Sequence, residues 1–321
     1  MLSVPPQHTP RHERLKLFLT QGFFFTQLLG IHADRFDPLA EEAFAGAVLY
    51  LDTNILLPRL LQADAGPIFD EMLAVAKQLG IEMRITRATL DETRRVAADR
   101  QQQLAKIVDV VPDELMLRVN DEFILAFLER REREQITLDE FFEPFDRLSD
   151  LVQHDLGITL IDVVEEEMCG DVDVTGISAV IQEEAETVRR RKKSARILAH
   201  DVAHFVLIRA DRKDHPKTWF LTRDRSVIQA AAKLSRAPEP PLCFSLTGFL
   251  QTISPFVTNG NAQHSLADVF SSILSDQLGA RENAYEIEEL VVLADMHEDV
   301  LATPSTLAKI DPLLLAINDP D

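Results

Sequence analysis

Residues 48–54 read VLYLDTN, and the run begins one residue earlier, at Ala47, behind Gly46. Ala47 to Leu51 is an unbroken apolar stretch, too short for a helix and without the alternation of a half-exposed strand. That is the pattern of a parallel strand buried on both faces. Asp52 stops the run, and from Asn54 the chain (NILLPRLLQ) takes up helical spacing. A buried strand that hands over directly to a helix, with an acid at the junction, is the repeating unit of an open α/β sheet. Such sheets present ligands just outside the carboxyl ends of their strands.

Working outward, three more segments follow the same pattern: ITRATLDET with Glu92, LAHDVAHFVLI with Asp201, and WFLTRDRSV with Asp224. Glu82–Thr86, Trp219–Thr222 and Leu242–Leu246 read as strands, and Ile158–Val164 as a further one, with helical stretches between them. This alternation predicts an α/β fold, a doubly wound parallel sheet with helices on both faces. Four carboxylates converging at one edge of such a sheet repel one another unless cations neutralise them. The arrangement reads as a divalent-metal site, and all-oxygen ligands favour Mg²⁺ or Mn²⁺ over Zn²⁺. Taken singly, each acid has an ordinary reading: Asp52 as a helix cap, Glu92 as a partner of a helix N-terminus, Asp224 as a turn residue.

The chain has 321 residues, 46% of them hydrophobic, enough to build a sizeable core. Lys and Arg number 33 against 53 Asp and Glu, a formal charge of −20 that excludes a broadly basic surface but not a local basic groove. The two cysteines, Cys169 and Cys243, form no CxxC or Cys/His cluster, so no structural zinc is expected and both thiols suit a reducing cytoplasm. Residues 1–45 read as a helical extension, 46–260 as the central domain with a charged helical insertion at 100–195, and 261–321 as an acidic helical region. From Ala262 that region holds twelve acids against Arg281 and Lys309, half the net charge of the chain. It reads first as a solvated face and second as a cover for a basic path. Leu17–Ile31, with Phe23, Phe24 and Phe25, is short and interrupted by Thr20, Gln21, Thr26 and Gln27, so a buried amphipathic helix is expected rather than a membrane partner.

On these residues the chain resembles the PIN-domain nucleases. The likeness lies in a strand ending in Asp52-Thr53-Asn54, Leu-x-Glu at Leu90–Glu92, an acid on an apolar helix at Asp201, and Thr-Arg-Asp at Thr222–Asp224. It covers roughly residues 46–99 and 195–250. No one of these motifs is specific; their order and flanking structure carry the resemblance. The 109 positions from Glu92 to Asp201 exceed what a minimal PIN domain needs. The resemblance implies a Mg²⁺- or Mn²⁺-dependent ribonuclease in which Asp52, Glu92, Asp201 and Asp224 bind metal and carry catalysis, leaving 5′-phosphate and 3′-hydroxyl ends. It suits a toxin, processing or defence role.

Around these acids, Asn54 and Thr222 are expected to orient the carboxylates by hydrogen bonds. Asp91 competes with its neighbour Glu92. His200 and His204, at i and i+4, also suggest a zinc or HD-type centre, although no third ligand is evident. The strongest basic cluster runs from Arg189 to Arg196. If one helix continues from Ile177 through it to Ala210, then Arg190 and Lys193 line up with Asp201 and would lead phosphates toward the metal, with Arg95 in a similar position. The expected partner is RNA, single-stranded, with DNA as an alternative substrate. A protein inhibitor or a second copy is a further partner, and a non-catalytic scaffold or RNA-binding module is the competing reading.

Overall fold

The computed structural model describes residues 43–61, 66–119, 121–170, 172–189, 192–235 and 241–253, together with 287–288, 290–292 and 294. The Leu17–Ile31 segment, Arg190, and most of the N-terminal extension and acidic tail lie outside the described residues. The main elements are β1 (Val48–Leu51), α1 (Thr53–Leu60), α2 (Gly66–Gln78), β2 (Glu82–Thr86), α3 (Arg87–Ile107), α4 (Glu122–Glu134), α5 (Leu138–Asp146), β3 (Thr159–Ile161), α6 (Glu165–Cys169), α7 (Thr175–Arg189), α8 (Ala195–Asp211), β4 (Thr218–Thr222), α9 (Arg225–Leu234), β5 (Cys243–Ser245) and α10 (Leu246–Ile253). Among the described residues no helix is long and apolar enough to cross a membrane.

The five strands form one all-parallel sheet in the order β3-β2-β1-β4-β5. β1 is central and every one of its residues is buried. Its side chains alternate between two cores, as a strand's two-residue period requires. Leu49 and Leu51 join the larger cluster with Ile55, Leu56, Met72, Ile85 and Leu90. Val48 and Tyr50 face Val202, Phe205 and Val206 of α8 and Val227 and Ala230 of α9. Helices therefore cover both faces. Gly80 terminates α2 at φ +71°, a left-handed conformation that glycine adopts without Cβ strain, and Ile81 N donates to Ala76 O at 2.9 Å across the turn into β2.

The stretch 100–195 is not a purely helical insertion. β3 pairs with β2 at the sheet edge, Arg84 opposite Thr159 and Thr86 opposite Ile161. The helices of this stretch contribute Phe123, Phe127, Phe141, Phe142 and Phe145 to the same core as Leu49 and Leu51, with Phe123 stacked on Phe142 at 5.8 Å and Phe141 edge-on to Phe142 at 5.0 Å. From the tail, Ile287, Leu290 and Ala294 are buried in that core, and Glu288 pairs with Arg100 of α3 at 3.0 Å.

The single helix expected from Ile177 to Ala210 is two helices. α7 stops at Arg189, residues 192–194 are non-helical, and Ser194 caps α8 by accepting a hydrogen bond from Ile197 N at 3.3 Å. A serine ahead of an apolar periodic run is a strong N-cap, and the charged run before it has no apolar face to hold a helix together.

Candidate metal centre

The strand order reverses between β1 and β4, and the crevice beyond their carboxyl ends is where an open parallel sheet binds ligands. Asp52 follows β1 directly and serves as the N-cap of α1, its Oδ1 accepting from Thr53 N at 2.7 Å. Its Oδ2 accepts from Thr222 Oγ1, at the end of β4, at 2.5 Å and from Asn54 Nδ2 at 2.7 Å. Asn54 Nδ2 also reaches Thr222 Oγ1 at 3.1 Å, while Asn54 Oδ1 accepts from Arg223 N at 2.8 Å. Asn54 and Thr222 thus tie β1 to β4 and fix Asp52 between them. Burial raises the Asp52 carboxyl above its ordinary range, against the pull of His200 and the Thr222 hydrogen bond.

Glu92 comes from α3, which begins at Arg87 behind an N-cap at Thr86. That start puts Glu92 in the second turn and turns it inward, with its side chain 14% exposed. Its neighbour Asp91 stays 54% exposed and pairs with Arg94. Thr53 Oγ1 donates to Glu92 Oε2 at 2.9 Å. His200 of α8 stands between two acids, with Nδ1 3.0 Å from Glu165 Oε1 and Nε2 2.9 Å from Glu92 Oε2. The Nε2–Glu92 approach is poorly aligned, so this buried nitrogen has no properly directed hydrogen bond.

These contacts set the charges. Burial opposes a charged imidazole at His200, yet Glu165, Glu92 and Asp52 together hold its proton up to about pH 10. Burial likewise works against the Glu92 carboxylate, but His200 and Thr53 outweigh it and bring the pKa down to about 2.

His204 behaves differently. Its Nδ1 lies 2.9 Å from the carbonyl of His200, which can only accept, so Nδ1 carries the hydrogen. Nε2 then accepts from Thr89 Oγ1 at 3.0 Å, with Thr86 Oγ1 at 3.3 Å, and the ring stacks on Phe220 at 4.8 Å. Burial and the nearby His200 charge keep it neutral, with its pKa lowered to about 3. Both ring nitrogens are engaged, so the His200–His204 pair does not offer two imidazoles to a zinc ion.

Asp201 and Asp224 form the other half of the site. Asp224 caps α9, its Oδ1 accepting from Ser226 N at 2.9 Å and Ser226 Oγ at 2.7 Å. Its Oδ2 is 2.9 Å from Lys193 Nζ, which also bonds Asp201 Oδ2. The Lys193 side chain is only 2% exposed. It therefore sits inside the acid cluster instead of lining a solvent-facing path, because the break before α8 turns it inward to two buried carboxylates. Burial opposes its charge, but the two aspartates keep it protonated.

Compared with protein-family models, with curated proteins and with solved structures, the chain matches none. The functional reading therefore stands on the geometry.

The four acids singled out in the sequence are gathered in one region, where Asp52 and Asp224 both act electrostatically on Asp201. Asp52, Glu92 and His200 each present a ligand atom within 4.8 Å of the others. Two carboxylates and an imidazole whose Nε2 lacks an aligned partner suit Mn²⁺, and the carboxylates with water suit Mg²⁺. An ion there would compete with the His200 proton for the same two acids. Glu92 also lines an open cleft of about 330 Å³ with Ala88, Asp91, Arg95, Val164, Glu165, Glu166 and Arg196. Arg95 lies 3.7 Å from Glu92, and its Nε has no hydrogen-bond partner.

Sequence reasoning assigned no role to Glu165. Its one local mark was its place four residues beyond the end of β3, a strand that is itself faint in the sequence. The inward position of Lys193 left no trace, since a lysine in a basic run reads as surface.

Proposed function

We propose that this chain is a PIN-type nuclease, dependent on Mg²⁺ or Mn²⁺, that hydrolyses phosphodiester bonds in RNA, with single-stranded RNA as its substrate. One observation carries the reading. Asp52, Glu92, Asp201 and Asp224 meet beyond the carboxyl ends of a doubly wound parallel sheet, and Asn54 and Thr222 both bind Asp52 Oδ2. The five-stranded parallel sheet with helices on both faces is compatible with that reading.

Asp52 and Glu92, with His200 beside them, would hold the cation. When bound, the ion supplies activation of water and neutralisation of charge on the phosphoryl oxygens. The residues of the chain do the rest. Thr53, Asn54 and Thr222 hold the carboxylates in place. Arg95 and Arg196 at the cleft supply the cationic groups a phosphate backbone needs near an acidic site. Attack by water in line with the leaving oxygen would leave 5′-phosphate and 3′-hydroxyl ends. A cytoplasmic toxin or defence effector fits such an activity.

A second reading, a non-catalytic PIN-like scaffold, draws on the charge balance. Lys193 and protonated His200 already compensate part of the acid cluster without a metal. Incubating labelled single-stranded RNA, duplex RNA and DNA with Mn²⁺ or EDTA separates these readings. The nuclease reading expects Mn²⁺-dependent cutting of single-stranded RNA, lost in Asp52→Asn and Asp224→Asn. Preferential cutting of DNA would move the substrate class, since the 2′-hydroxyl is what distinguishes the two. Failure of the folded wild type to cut anything or bind Mn²⁺ would leave the scaffold.

A further inference from the structure

The two halves of the acid cluster are not equivalent. Around Asp52 and Glu92, ligand atoms of Asp52, Glu92 and His200 lie within 4.8 Å of one another, the His200 Nε2 is buried without an aligned hydrogen-bond partner, and Glu92 opens to the cleft. Around Asp201 and Asp224 the cation position is filled. Asp224 Oδ1 accepts from Ser226, and Lys193 Nζ bridges Asp224 Oδ2 and Asp201 Oδ2. An ammonium is a compact point charge with three donors, and here two of them point at carboxylates.

We propose that Lys193 is a built-in counter-ion standing where a second divalent cation would bind, so that the chain takes one divalent ion, beside Asp52 and Glu92, and not two. The inference rests on the metal-dependent reading above and gives that site its stoichiometry. The lysine is delivered by residues 192–194, non-helical residues directly ahead of α8, and the Ser194 cap fixes where that helix begins. Its role is positional: it holds Asp201 and Asp224 in register with Asp52 without itself being replaced during turnover. A two-metal centre clamps the attacking and leaving oxygens with two ions. In this chain one of those charges is covalently tethered.

The test is a Mn²⁺ titration of the full chain by calorimetry, with free Mn²⁺ followed by electron paramagnetic resonance. Wild type should bind one Mn²⁺ per chain. Lys193→Met should bind a second, and its metal-free unfolding temperature should fall below that of wild type and recover when Mn²⁺ is added. The double variant Lys193→Met/Asp201→Asn, which also removes one of the two acids that Lys193 bridges, should return to one ion. If Lys193→Met proves too unstable without metal, Lys193→Gln is titrated in its place and should likewise bind a second ion. Two ions bound to wild type would overturn the inference, and with metal-dependent RNA cleavage intact the nuclease reading would survive it. One ion bound by the folded Lys193 variant would also overturn it. No Mn²⁺ bound by wild type would overturn the inference and the nuclease reading together.

Discussion

Raising the pH of the metal-free protein from 7 to 10 should make it unfold more readily, chiefly through one histidine. His200 lies between Glu92 and Glu165 and keeps its proton to about pH 10, against an ordinary value of 6.5 for the unfolded chain. A group whose folded pKa lies above its unfolded one contributes stability that is complete below the unfolded value and is lost as pH rises through the folded one. Each pH unit in this window is worth about 1.4 kcal/mol, so the window holds about 5 kcal/mol, of which about 4 kcal/mol lies above pH 7. Glu165 is 31% exposed and water shares in its interaction, which lowers the expectation to about 2–4 kcal/mol. Asp201, raised by burial to about 7, gives up its contribution below this range, and the raised Cys243 is common to wild type and variant. The assay is thermal unfolding in EDTA of wild type and His200→Gln across pH 7–10. Wild type should lose about 5–10 °C more than the variant over that range. Parallel curves for the two proteins would refute a charged His200 in the folded state.

Three further expectations follow from single contacts. Thr222→Val removes the donor to Asp52 Oδ2 and the acceptor for Asn54 Nδ2 and Asp224 N, so Mn²⁺ affinity should fall about 10–100-fold with the fold retained, as calorimetry and circular dichroism would record. Phe127→Ala, which deletes a buried ring packed edge-on to Phe141 at 5.4 Å, should cost about 3–5 kcal/mol in urea unfolding without altering the metal site. Leu290→Asp should cost about 3 kcal/mol or more, because it places an unpaired carboxylate where a fully buried side chain meets the core; an unchanged urea midpoint would detach this segment from the domain.

The central strands were legible because burial on both faces writes itself as an unbroken apolar run, as in Ala47–Leu51 and Trp219–Thr222. β3 was faint because it is an edge strand of three residues, exposed or half-buried, with little apolar signal to read. The four acids were legible from their places after strands or on an apolar helix, and Asn54 and Thr222 from standing beside two of them. The break between α7 and α8 was hidden by a run of like charges, which has no periodicity to lose. Ser194 was its one local mark. The partners of Lys193 and His200 could not be read, because both are fixed by contacts among distant segments: His200 meets Glu92 across 108 positions, and Lys193 meets Asp224 across 31. Sequence reasoning asked for a metal to neutralise the acids, whereas the fold supplies two cations of its own.

The most direct measurement of the account is a crystal of the full chain soaked in Mn²⁺ and recorded at the manganese absorption edge. The account predicts one anomalous peak within coordination distance of the Asp52 and Glu92 carboxylates, with Lys193 still bonded to Asp201 and Asp224. A site without anomalous density at saturating Mn²⁺, with His200 still seated between Glu92 and Glu165, would contradict it.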